Sequence, residues 1–310
     1  MDGEKKKKLA GGAALAAAAA LWGTSYFALG YALKEYPAFF VLAFRFLFGG
    51  ALLLAFYHES VFSLRRRHVL WAAALALLLA AGFVLQAYGL KLSGSAVKAA
   101  VLTEGQSVFV PFLCFAFYKE RVNAYHVAAA IFCAAGAALV MLGGKYSFNA
   151  GDLLTAASGI FFAAQILVFK KLSDLGGAEG VLPPAFIFVG ILCGGLSLAF
   201  ERGGYGGLRF DIFGLLPLLL LAAFGTAGAQ AFQFAGQKRA SESGSAFMLS
   251  LSAVFGVAAG ACLGEPLTAR MLIGSALTAR MLIGSALIVA SAFVCGVLPE
   301  IVRKRGEREK

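Results

Sequence analysis

"LQAYGLKLSGSAVKAAVL" (85–102) and "AQAFQFAGQKRASESGSAF" (229–247) hold corresponding places in the two halves of this chain. Each starts as an apolar run carrying a glutamine, crosses a short stretch rich in Gly, Ser and Lys, and enters a second apolar run. The first then reaches Ser107 and, 13 positions later, Glu120 of "KERV"; the second reaches Ser252 and, again 13 positions later, Glu265 of "LGEPL". Equal spacing across matching hydropathy marks an internal duplication.

Composition shows what is duplicated. Of the 310 residues 60% are apolar and only 14% charged, with a mean hydropathy of +0.82; soluble domains are about a quarter charged. A soluble protein with many buried helices would need polar faces that these segments lack. A bilayer-spanning helix takes roughly 20 apolar residues. On that ruler the chain divides into ten segments: 9–33, 37–57, 69–91, 95–118, 124–143, 151–171, 182–200, 211–235, 244–263 and one ending near 298. The expected fold class is an all-α membrane protein of ten transmembrane helices in two five-helix repeats, 9–143 and 151–298, between a basic tail (1–8) and a charged tail (299–310). Five is odd, so the second repeat enters from the opposite side, which is the inverted-topology arrangement of secondary transporters. The first segment has no small-residue cleavage site and is expected to be retained.

Lys and Arg settle the expected orientation. With the N-terminus inside, 18 of the 27 fall on the cytoplasmic side and 8 outside, with Arg45 inside a helix, so both termini are expected in the cytoplasm. The net charge of +11 then reflects topology and the anionic inner leaflet, not nucleic acid. Cys114, Cys133, Cys193, Cys262 and Cys295 lie in apolar segments without CxxC spacing, and His58, His68 and His126 lie at segment ends. No catalytic centre, metal site or cofactor is expected from them.

Several stretches carry a family resemblance. "LWGTSYFALGYALK" (21–34), "FRF" (44–46), "GDLLTAASGIFFAAQILVFKKL" (151–172) and the region from "GQKRASESGSAF" (236–247) through the last two helices resemble, in order and spacing, the EamA-type members of the drug/metabolite transporter superfamily. The resemblance implies an alternating-access carrier in the cell (inner) membrane, with helices 1–4 and 6–9 around the solute and helices 5 and 10 peripheral. Two departures stand out. Ser252-Ala253 replaces a Glu-Pro found in many relatives, and "LTARMLIGSA" stands twice in tandem at 267–276 and 277–286. A tenth helix from 267 to 298 would be about 48 Å long, too long for the bilayer, so the span is expected to begin near Met281.

Glu104 is an ionisable residue deep in an apolar span, which marks a functional candidate. Arg45 lies at matched depth, so an ion pair between them is expected. Three readings stay open: a structural salt bridge, a titrating coupling site, or a receptor for a substrate ammonium. The counterpart of Glu104 in the second repeat is Leu249, and that asymmetry favours function. Trp22, Tyr26, Gln86, Tyr88, Thr103, Gln106, Gln165, Gln230, Gln233 and Ser252 are expected to line a cavity with Arg45 and Glu104; amides and hydroxyls between aromatic walls suit a small polar or zwitterionic solute. Lys98 is expected to snorkel, and Pro111 to kink its helix. The expected activity is export of amino acids or related metabolites. The alternatives are a carrier for drugs or cations and a non-transporting scaffold or receptor-like protein. The partners are a small-molecule substrate and the lipid bilayer, with homo-oligomer formation open.

Overall fold

The computed structural model describes residues 2–119, 149–175, 178–208, 211–240 and 242–263, with isolated positions between 124 and 135 and between 286 and 290. The described residues are helical throughout, without strands. The helices are α1 (Asp2–Glu35), α2 (Ala38–Phe62), α3 (Arg66–Ser93), α4 (Ala96–Thr103), α5 (Gln106–Tyr118), α6 (Ala150–Leu175), α7 (Leu182–Phe200), α8 (Ile212–Ala222), α9 (Ala229–Gln237) and α10 (Glu242–Leu263). Among the described residues, seven spans are long and apolar enough to cross a membrane: one each in α1, α2, α3, α6 and α7, with α4–α5 and α8–α9 each forming one more. In α10 the apolar stretch is the shorter Met248–Gly260. Eight of the ten expected segments are thus helices. The fifth segment (124–143), the tenth and the "LTARMLIGSA" tandem fall almost entirely outside the described residues.

Local signals set the helix ends. Gly94 closes α3 at φ +70° with its N–H on the Leu90 carbonyl, a left-handed conformation that costs a glycine little. Ser95 then caps α4, accepting from the Lys98 N–H at 3.2 Å, and Asp211 caps α8 through the Gly214 N–H at 2.8 Å, as side-chain acceptors do at helix starts. Segment 37–57 was expected to stop at Tyr57. The residue is indeed non-helical (φ −117°, ψ 18°), but α2 bends there and runs on to Phe62.

The closest helix pairs are α3 with α6, α2 with α7, and α1 with α10, so each joins the first half of the chain to the second. Small residues allow the approach. A Cβ on Gly151 would lie 2.5 Å from the Gly89 carbonyl oxygen and the Ser93 N, and one on Gly23 would lie 2.8 Å from the Phe255 Cβ. Between α2, α3, α6 and α7, Phe83 meets Phe46 at 4.9 Å and Phe162 at 5.0 Å, and Phe46 meets Phe186 at 5.1 Å, all edge to face. This geometry suits ring quadrupoles.

Two spans are irregular in the middle. Between α4 and α5, at Glu104–Gly105, the backbone tightens to three-residue bonds: Gly105 N–H to the Leu102 carbonyl and Ser107 N–H to the Glu104 carbonyl, both at 3.1 Å. Pro111 lies inside α5, and this irregularity at Glu104 is a separate one that the sequence did not announce. Between α8 and α9, residues Ala223–Gly228 form a π-helical turn. Such wide turns recur at functional sites.

The bundle has two chemically different ends. At the acidic end the Glu201 carboxylate accepts the Phe39 and Phe40 N–H groups at 3.0 and 3.1 Å, capping α2, and also takes the Ser197 hydroxyl at 2.8 Å. Lys98 and Asp152 pair there at 2.6 Å with 1% and 0% exposure. Lys98 therefore does not snorkel; Asp152 at the start of α6 offers a counter-charge that hydropathy could not reveal. At the basic end, Lys238 pairs with Glu179 and lies 5.0 Å from the Phe234 ring. Burial lowers the Lys238 pKa, with a further contribution from neighbouring Arg239.

Candidate functional site: a polar cavity inside the bundle

A cavity of about 390 Å³ of empty space lies between α1, α3, the α4–α5 junction, α6, α9 and α10. Eight of the twelve expected site residues line it: Trp22, Tyr26, Gln86, Thr103, Glu104, Gln106, Gln165 and Gln233. Phe83, Phe162 and Leu249 complete the wall; these apolar residues were missed because nothing in their types separates a wall from a core. Neither α2 nor α7 contributes, although the helices of those spans were expected to. Only about 30 Å³ of the space admits the centre of a water molecule, room for roughly two waters, so a metabolite would require the walls to part.

Glu104, 2% exposed, is the one carboxylate in the lining among the described residues. It stands at the α4–α5 junction, where its carbonyl accepts the Ser107 hydroxyl at 2.8 Å. Its side chain accepts from the Gln106 amide at 3.2 Å and from the Ser252 hydroxyl. Ser252 thus joins the site from α10 without lining the cavity. Leu249, the position expected to correspond to Glu104, faces the same space. On the remaining walls the Gln86 amide donates to the Tyr26 hydroxyl at 3.0 Å, and the Trp22 indole N–H donates to Gln233 Oε1 at 3.1 Å. Gln165 Nε2 has no hydrogen-bond partner among the described residues.

The expected Arg45–Glu104 ion pair does not form. Arg45 is 1% exposed and turns to the π-helical turn, where its Nε donates to the Thr226 hydroxyl at 2.8 Å and its Nη2 to the Gly225 carbonyl at 3.1 Å. Its guanidinium lies 4.5 Å from the centre of the Phe83 ring, and that ring also forms part of the cavity wall. Matched depth fixes height along a helix axis but not the direction a side chain takes around it. Thr226 in turn donates to the Leu221 carbonyl at 2.8 Å. The role of Thr226 was missed, since a π turn leaves no clear mark in sequence.

Two further expected residues stand apart from the cavity. Tyr88 lies toward the acidic end, its hydroxyl 3.5 Å from Glu201 and its ring 5.3 Å from Phe39. Gln230 is fully buried on α9, with both amide atoms lacking partners. Of the cysteines, Cys114 and Cys193 are buried, as packing residues should be, while Cys262 is exposed.

Residues 9–142 match the EamA-like transporter family, in agreement with the resemblance carried by the WG and FRF motifs. Members of that family are membrane transporters, and this stretch of the chain is similar to them. A comparison with curated proteins finds no match. A solved structure named only as the crystal structure of a protein aligns over 96% of this chain and 99% of its own, with a TM-score of 0.69 and 20% identity. That likeness is one of fold.

Proposed function

We propose, starting from a chain whose residues 9–142 are those of an EamA-like transporter, that this protein is an exporter of amino acids or related small polar metabolites. It works by alternating access between two inverted repeats in the inner membrane, with both termini cytoplasmic. The observation that carries the substrate class is the single carboxylate of the cavity. Glu104 is hydrogen-bonded by two neutral donors, Gln106 and Ser252, while Arg45 is engaged elsewhere. Its charge is left to meet an ammonium group or a proton, and the amides of Gln86, Gln165 and Gln233 with the Trp22 and Tyr26 rings supply neutral contacts for the rest of a small solute. A buried acid inside a membrane bundle normally serves such a purpose.

Counterflow in proteoliposomes tests this reading, with labelled amino acids, purine precursors and cationic drugs as the panel. Amino acids are expected to exchange, and Glu104→Gln is expected to abolish exchange or its pH dependence while leaving the fold intact. Exchange confined to cationic drugs would move the substrate class. No exchange with any solute would favour a scaffold. Full activity and unchanged pH dependence in Glu104→Gln would remove Glu104 from the site.

A further inference from the structure

Gln230, Gln233 and Gln237 recur at i, i+3 and i+7 on α9, a spacing that puts them on one face. Gln233 lines the central cavity, and Gln237 lines a second, smaller and partly open cavity at the basic end, bounded also by Lys170, Glu242 and Ser245, which like the central one must widen to admit a solute. Across from this column, α6 walls both spaces, with Gln165 in the first and Ile166 and Lys170 in the second. Gln165, Gln230, Gln237 and Ser245 are each more than nine-tenths buried. Together they hold six of the eight buried side-chain atoms that lack a hydrogen-bond partner among the described residues. Amides and hydroxyls that only hold helices together bond to one another across the interface. Here those of Gln165, Gln237 and Ser245 run unsatisfied from the central cavity toward the basic end, with Gln230 adding two more on the other side of Gln233, and buried polar atoms in that state call for water or a ligand.

We infer that the second cavity is a separate binding subsite for a small zwitterion on the cytoplasmic side of the solute path, joined to the central cavity by the glutamine column. Lys170 receives the carboxylate, Glu242 the ammonium group, and Gln237 and Ser245 bond the neutral polar atoms. A solute held between opposite charges needs no net charge from the protein, and the unpartnered amides replace its hydration as it moves inward. The inference rests on the carrier reading for the meaning of the path. The existence and charge pattern of the subsite are testable without any transported solute.

The test uses the full chain in lipid nanodiscs, with Ser245→Cys and, as a buried apolar control, Ala163→Cys, each corrected for labelling of the native cysteines. The probes are small methanethiosulfonate reagents, one cationic and one anionic. Ser245→Cys is expected to react with both reagents and Ala163→Cys with neither. Adding Lys170→Met should slow the anionic reagent roughly tenfold while sparing the cationic one, and adding Glu242→Gln should do the reverse, because each removes one sign of local attraction. Lys170→Gln, checked by circular dichroism, covers misfolding of Lys170→Met. Ser245→Cys as inert as the control overturns the subsite, and so do rates that ignore both charge substitutions. A wild-type chain that labels as expected but exchanges no solute would overturn the carrier reading and leave the subsite standing.

Discussion

The acidic and basic ends of the bundle solve the same problem in opposite ways. At the acidic end charges are tied down: buried Lys98 to buried Asp152, and half-buried Glu201 to the first N–H groups of α2. At the basic end buried polar groups are neutral and unpartnered, as in Gln237 and Ser245. A buried ion pair is costly to break from one side, because the surviving charge keeps its desolvation penalty. An unsatisfied amide already bears its penalty, so its removal costs nothing. The contrast describes a bundle closed at one end by interactions strong only as pairs, and left at the other with groups that a solute or water can satisfy.

Asp152→Leu should show the largest effect. It strands Lys98 and is expected to lower unfolding free energy by about 3 to 5 kcal/mol, with most of the loss recovered in the Lys98→Met/Asp152→Leu double variant. Denaturant unfolding in mild detergent measures both; a double variant as unstable as the single one would show that the pair is not the closing device. Next comes Thr226→Val, which takes the hydroxyl acceptor from the buried guanidinium of Arg45 and should cost about 1.5 to 3 kcal/mol. An unchanged melting temperature would mean that the π turn supplies another acceptor.

Gln230→Leu tests the other side of the contrast, since it replaces two orphaned amide atoms with an alkyl group. We expect about 1 kcal/mol of added stability together with slower exchange. A loss of stability would show that the amide has a partner in the membrane. The smallest effect should come from Lys238→Gln at the pair with Glu179, where each side chain is 30% exposed. Solvent screening limits that change to under about 1 kcal/mol.

Much of this was legible along the chain. Hydropathy placed eight helices among the described residues. Eight of the twelve expected site residues line one cavity, and they could be picked out because an amide, indole or acid in an apolar span is rare enough to stand out. The failures share one cause. Arg45, Lys98 and Tyr88 were assigned by type and depth, and each found a partner contributed by a distant helix: Thr226, Asp152 and Glu201. Phe83 and Leu249 were passed over because an apolar side chain looks the same in a core as in a cavity wall.

By itself the sequence determined which segments can leave water and which polar residues would be expensive inside them. Those properties follow from transfer free energies and helical rise, which act on each segment separately. Only the tertiary structure decided that Glu104 is met by Ser252 and Gln106 while Arg45 turns to a π-helical turn. That choice depends on the rotation of each helix about its own axis, and the rotation is set by close contacts between the halves, such as Gly151 against Gly89 and Gly23 against Phe255. Packing in a bilayer depends on which surfaces fit, since lipid gives apolar faces no reason to prefer one another. The partner of every buried polar group is therefore a result of that fit, and no single span carries it.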